Sequence, residues 1–389
     1  MYNVKCLNKI AKVGLDLFDD QYQLTDDMNA ADAVLVRSEK MAEMQFPKQL
    51  AAIARAGAGV NNIPLDRCAQ EGIVVFNTPG ANANGVKELA VAALMLASRD
   101  IVGGVNWLQT QKDNPDVAKL AEKQKSHFAG VEVAGKKLGV IGLGAIGVLV
   151  ANAANSLGME VYGCDPYMTV DNAWKLSRSI HPVKSNDDLY KQCDYITIHV
   201  PAMDSTKGML NKEAFAKMKD GVVILNLARD LLVNDDDMAE ALASGKVAKY
   251  VTDFPNAKTV NMKNCIAIPH LGASTEESED NCAKMAVQEI RSYMEQGNIV
   301  NSVNFPNCDA GFRETEIRLL VLHKNVKNML NQLTSVLSNA GLNIEHMMNK
   351  SRGDYAVSSF DINPGDLDMA EVEKNLEAID GVLRARVIR

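Results

Sequence analysis

This chain has little of what would mark it for a membrane, a nucleic acid or a metal. No stretch approaches the roughly 20 consecutive apolar residues of a helical membrane span. Its first residues, Met1-Tyr2-Asn3-Val4-Lys5, lack the apolar core of a secretion signal. There is no basic tract, and a net charge of −8 at pH 7 argues against a nucleic-acid partner. The seven cysteines are scattered, with no C-x-x-C and no metal-like cluster. They are expected to be reduced thiols in a cytoplasmic protein, with no metal site. What remains is ordinary for a soluble globular enzyme: 47% hydrophobic and 23% charged residues. A length of 389 residues suggests two or three domains.

What is present centres on Lys136-Lys137-Leu138-Gly139-Val140-Ile141-Gly142-Leu143-Gly144-Ala145-Ile146-Gly147, an apolar run entering a G-x-G-x-x-G. Gly142 permits a tight turn, Gly144 a close approach of backbone to a pyrophosphate, and Gly147 close packing of the helix that follows. That helix is expected over Val148–Leu157, with its first N–H groups aimed at phosphates. A second strand, Met159–Gly163, then ends at Asp165, where a carboxylate takes the adenosine ribose hydroxyls. The neighbouring Pro166-Tyr167 offers no cation for a 2′-phosphate, which favours NAD over NADP.

Around this motif, strand and helix signals alternate, as in a parallel α/β sheet. Strands are expected at Ala33–Val36, Gly72–Phe76, Tyr195–Ile198 and Val222–Leu225. Helices are expected at Val86–Ser98, at Met238–Ala243 stopping at Gly245, and at about Glu276–Gln296, where Cys282, Met285, Ala286, Ile290 and Met294 recur at helical spacing. Residues 109–130 turn polar and are expected to be a connection. After a linker near 301–311, strands at 318–322, 344–349, 355–361 and 384–388 alternate with helices at 328–340 and 369–378. The order is β-α-β-β-α-β, ferredoxin-like.

Three segments follow apolar strands, where α/β sheets place their ligands. They are Asn226-Leu227-Ala228-Arg229, Thr252-Asp253, and Ile268-Pro269-His270-Leu271-Gly272-Ala273-Ser274-Thr275. An Arg can clamp a carboxylate with paired charge-assisted bonds. A His can exchange a proton near neutral pH. Oxidising a 2-hydroxy acid needs both, and Arg229 and His270 supply them.

Taken with Val36-Arg37-Ser38, Arg55 to Val60, Phe76 to Gly80 and Pro269 to Thr275, the chain resembles the D-isomer-specific 2-hydroxyacid dehydrogenases over nearly its whole length. The resemblance implies an α/β fold in which a Rossmann-like NAD domain (99–280) is inserted into a flavodoxin-like substrate domain (1–98 and 281–306). A linker (307–316) and a ferredoxin-like ACT regulatory domain (317–389) would follow. Within the family the likeness is to the branch that oxidises 3-phospho-D-glycerate to 3-phosphohydroxypyruvate, the first step of the phosphorylated route to L-serine. Another D-2-hydroxy acid, or a non-catalytic NAD-binding regulatory role, stands as the alternative.

The resemblance also implies roles. His270 would be the acid/base and Arg229 the carboxylate clamp. Gly142, Gly144, Ala145, Ile146, Gly147, Asp165, Val200, Leu227, Ala228, Asp253, Gly272 and Ala273 would hold NAD. Arg37, Arg55, Gly57, Ala58 and Gly59 would hold the substrate. His323, Asn325 and Asn343 would bind serine as an effector, and the chain would form a homodimer or homotetramer.

The pattern departs from the family where a Glu usually follows Asp253 by five residues and pairs with the catalytic His. Here the segment reads Asp253-Phe254-Pro255-Asn256-Ala257-Lys258. The family's Glu partner for His270 is therefore absent at its usual place, and Glu276 or Glu277, six and seven residues downstream, stands as the alternative carboxylate. Asn61, Asn234 and Asn328 replace the usual Asp, Asp and Gly. Asn tolerates a left-handed backbone better than most residues, so the turn at Asn328 is expected to survive.

Overall fold

A computed structural model describes residues 1–389. It divides into two compact units, 1–81 with 279–389, and 82–278.

The first unit holds a five-stranded sheet of β1 (Tyr2–Cys6), β2 (Tyr22–Thr25), β3 (Ala33–Val36), β4 (Ala52–Arg55) and β5 (Val74–Asn77). All strands are parallel in the order β2-β1-β3-β4-β5, the flavodoxin-like order. Ala33, Val34, Leu35 and Val36 are all fully buried. That is why this strand reads as an unbroken apolar run: a parallel strand is covered on both faces. The helix Glu276–Gln296 sends Ala286, Ile290 and Tyr293 into the same core. Its bounds match those expected from the sequence.

The second unit holds a seven-stranded parallel sheet. Its strands are β6 (Lys137–Ile141), β7 (Glu160–Cys164), β8 (His181–Pro182), β9 (Tyr195–Ile198), β10 (Val222–Asn226), β11 (Val247–Thr252) and β12 (Cys265–Ala267). The order β12-β11-β10-β9-β6-β7-β8 reverses between β6 and β9, the crevice where such sheets bind ligands. The helix Ala83–Ser98 belongs here: Val86, Ala90, Leu94 and Ala97 share a core with Val148, Ala151 and Val251. The unit thus begins at 82, earlier than the expected 99. Residues 109–130, expected as a polar connection, are partly helical at Val117–Gln124, although none of that helix is buried.

The last strands, β13 (Ile317–Lys324), β14 (Ile344–Arg352), β15 (Tyr355–Ile362) and β16 (Val382–Ile388), form an antiparallel sheet in the order β14-β15-β13-β16. Helices Met329–Asn339 and Met369–Glu377 cover one face through Leu333, Leu337, Val372 and Leu376. Asn328 starts the first of them at φ 65°, the left-handed turn expected of it. The other face packs on the first sheet's unit: Leu320, Leu322, Val357 and Ile388 share a core with Phe76, Ile290 and Tyr293. Arg318, fully buried, bonds both oxygens of Asp361 (2.6 and 2.9 Å) and the carbonyls of Gln296 and Gly311 (2.8 Å each). Arg384 grips the Leu50 and Lys48 carbonyls at 2.6 and 2.9 Å. This domain is docked by a whole sheet face. Its connecting segment is pinned as well, with Ile299 and Cys308 bridged and Asn298 bonded to Gly311.

Candidate active site

At the end of β6 the chain turns at Gly142 with φ +87°, and a Cβ there would stand 2.6 Å from the His199 carbonyl oxygen. A Cβ at Gly147 would overlap the Gly142 carbonyl. These two glycines are required by the fold itself. Gly144 is different: a Cβ on it would meet nothing within 4 Å. It precedes the helix Ala145–Ser156, whose first N–H groups receive no side-chain cap. An uncapped helix start beside open space fits an anion. Asp165 follows β7 and is fixed by two backbone donors, Leu143 to Oδ2 and Tyr167 to Oδ1, each at 2.8 Å. A carboxylate oxygen accepts more than one bond, so both retain capacity for ribose hydroxyls.

The catalytic candidates converge beyond β10, β11 and β12. Buried Asn226 shapes the first loop: its Oδ1 accepts from the N–H groups of Ala228 and Arg229, and its Nδ2 donates to the Arg229 carbonyl at 2.8 Å. Leu227 is buried under this turn. Arg229 reaches solvent, with its guanidinium 5.7 Å from the centre of the Phe254 ring. His270 adopts φ +28°, held by its N–H to the Asp253 carbonyl at 2.9 Å. Its ring lies against Phe254, with centroids 4.5 Å apart.

Asp253 is 1% exposed. Burial raises its pKa, against the opposing pull of the Gly272 N–H bond, His270 and Arg229. One oxygen accepts from Gly272 at 3.0 Å; the other is shielded and has no partner in the chain. An orphaned buried acceptor fits an amide donor such as the nicotinamide carboxamide. Ala273 follows Gly272 in the same loop, and Val200 follows β9 with a methyl 2.8 Å from the Cβ position of Gly142. Lys258, at the place of the missing Glu, is committed elsewhere, to Asp236 at 2.6 Å.

Sequence reasoning passed over two groups here. His199 is one: burial lowers its pKa to about 4, and its Nδ1 has no partner. Its place just after β9, opposite Gly142, was the available signal. Phe254 is the other: an aromatic after a buried Asp reads as ordinary core, and only the fold brings its ring against His270.

In the first unit, Arg37 and Arg55 end the adjacent strands β3 and β4. Asn8 fixes the first turn by accepting from the N–H groups of Arg37, Ser38 and Glu39. Arg37 pairs with Glu279 at 2.5 Å, and Arg55 Nε donates to the Arg37 carbonyl at 2.9 Å. The Gly57-Ala58-Gly59 turn lies beside them. Asn77 donates to the Ala58 carbonyl at 2.6 Å, and Thr78 N–H to Gly57. The turn and both cations are thus neighbours at the carboxyl ends of β3 and β4.

The effector candidates are less united. His323 is 2% exposed, bonded to Ser358 Oγ and the Lys324 carbonyl, and burial lowers its pKa. Asn325 is exposed and clips the β14–β15 turn at Gly353. Asn343 is exposed and bonds Glu345.

Residues 91–272 match the D-isomer specific 2-hydroxyacid dehydrogenase NAD-binding domain. A D-3-phosphoglycerate dehydrogenase of Haemophilus influenzae is 32% identical over 90% of this chain and 85% of its own. One of Archaeoglobus fulgidus is 32% identical over 77% of this chain, which spans only 56% of that longer protein. The crystal structure of NAD+-bound 3-phosphoglycerate dehydrogenase from Entamoeba histolytica superposes with a TM-score of 0.61 at 26% identity, over 78% of this chain and 98% of that one.

Proposed function

This chain belongs to the D-isomer-specific 2-hydroxyacid dehydrogenases, and we propose that it oxidises 3-phospho-D-glycerate to 3-phosphohydroxypyruvate with NAD, opening the phosphorylated route to L-serine. The observation that carries the reading is the convergence of Arg229, His270 and buried Asp253 at the carboxyl ends of adjacent strands. NAD, when bound, supplies the carbon that accepts hydride from C2. His270 takes the hydroxyl proton as that hydride leaves, acting as general base. Arg229 holds the carboxylate and polarises the carbonyl as it forms. Asp253 holds the carboxamide side of the cofactor through its free oxygen, and Asp165 the adenosine ribose. The phosphate falls to Arg37, Arg55 and the Gly57–Gly59 turn. The test is NADH formation with 3-phospho-D-glycerate against unphosphorylated D-glycerate. Preference for the phosphorylated acid supports the reading, and preference for D-glycerate overturns it.

L-Serine is the effector this reading expects, bound through exposed Asn325 and Asn343, with inward-turned His323 holding the strand beneath them. A homodimer or homotetramer fits the helix Ile101–Gln109, which buries none of its residues and leaves Ile101, Val102, Val105 and Leu108 exposed. A second copy would cover such a face, and light scattering after chromatography checks it. No helix is long and apolar enough to cross a membrane. The seven free thiols suit a reducing cytoplasm.

A further inference from the structure

We propose that Phe254 is the positioning residue for the catalytic pair, doing with a ring face what a carboxylate would otherwise do for His270. The inference rests on the dehydrogenase reading above and extends it to how the acid/base is held.

No carboxylate is hydrogen-bonded or ion-paired to His270, though buried Asp253 lies near enough to interact with its charge: Lys258 stands at the expected place and is paired with Asp236. The ring nevertheless has a neighbour, the Phe254 ring at 4.5 Å and 44°. The same ring carries the Arg229 guanidinium at 5.7 Å. One side chain therefore touches both groups assigned to the chemistry. Phe254 itself is well fixed. Its N–H donates to Thr252 Oγ1 at 3.1 Å, and it follows the buried Asp253. It also precedes Pro255, which restricts its backbone to extended conformations.

A carboxylate partner fixes both the tilt and the tautomer of an imidazole, because it accepts one particular N–H. An aromatic face fixes the tilt alone, through an offset contact that discriminates poorly between the two ring nitrogens. His270 is therefore oriented without being locked to one tautomer. Arg229 gains from the same ring, since a guanidinium is attracted to the π face.

The test compares Phe254→Ala, Phe254→Leu and Phe254→Tyr in the full chain. Turnover with NAD and 3-phospho-D-glycerate should fall about tenfold in kcat for the Ala and Leu variants and recover in the Tyr variant. The affinity for NAD should stay within about twofold in all three. A purely space-filling role would let Leu recover as well as Tyr, and that result overturns the proposal.

Histidine NMR supplies a readout that needs no turnover. The His270 ring proton, assigned by its loss in His270→Gln, should be displaced by the Phe254 ring current in wild type and Tyr. It should move to an ordinary position in Leu. An identical resonance in wild type and Leu overturns the proposal whatever the substrate. Absence of turnover by the wild type with this displacement intact counts against the assigned substrate and leaves the ring placement standing.

Discussion

Gly144→Ala separates what the fold needs from what the cofactor needs. A Cβ at Gly144 meets no atom of the chain within 4 Å. The backbone there, φ −71° and ψ −165°, is open to any residue. The variant should therefore fold, with a thermal transition within about 1 kcal/mol of wild type. Its new methyl would instead occupy open space at the uncapped start of the helix Ala145–Ser156, where we propose the pyrophosphate binds. Losing one charge-assisted bond costs about 1.5–3 kcal/mol, or about 10- to 150-fold in Kd. Titration of NADH fluorescence reads this directly. Gly147→Ala is the contrast, because its Cβ would overlap the Gly142 carbonyl and should lower apo stability before any cofactor is added. Wild-type affinity in Gly144→Ala would refute the placement of the pyrophosphate. Loss of apo stability in that variant would refute the claim that only the ligand requires a glycine.

Four further outcomes follow from the same geometry. Asp361→Ala strands the buried Arg318 guanidinium without a counter-charge and should cost about 3–5 kcal/mol in chemical denaturation. The double variant with Arg318→Met should lose less than the two single variants combined. Glu289 is buried, with one oxygen on Asn301 and the other unpartnered, and burial raises its pKa from 4.5 to about 8. The folded state keeps a proton that the unfolded chain releases, so this residue's contribution falls as pH rises from 4.5 to about 8. Glu289→Gln should match wild-type stability near pH 4 and exceed it by a few kcal/mol above pH 8 in urea unfolding. His199 acts in the opposite sense: neutral in the fold, it costs stability as pH drops from 6.5 towards 4, and His199→Gln should flatten that limb. Glu279→Gln frees Arg37 from a half-exposed ion pair worth up to about 1 kcal/mol. KM for the phosphorylated acid should fall by up to about fivefold with kcat unchanged.

Much of this architecture is legible in the residues because local signals agree with the final packing. The run from Lys137 to Ile141 is apolar, enters glycines whose spacing has one structural meaning, and becomes β6 and the helix after it. The long helix carries its buried face at helical spacing and is found where expected. What escaped is tertiary. Ala83–Ser98 is apolar enough to join either sheet, and nothing in its sequence says that its partners are Val148 and Val251. The docking of the last sheet left a trace: Ile317 to His323 is buried at every position, so neither face of β13 meets solvent. Arg318 in the middle of that run is the kind of residue that is fully buried only when paired. Phe254 was hidden by a different cause. The pattern around Asp253 points to a charge in place of Glu, whereas the neighbour of the His270 ring is the uncharged ring of Phe254, four residues before that place.

The most direct measurement is NADH formation from 3-phospho-D-glycerate by the native chain and by His270→Ala, each with NAD binding measured in parallel. The account predicts turnover by the native chain, a loss of at least about 100-fold in kcat for the variant, and unchanged NAD affinity. Native-like turnover by His270→Ala would contradict it and move the proton to another group.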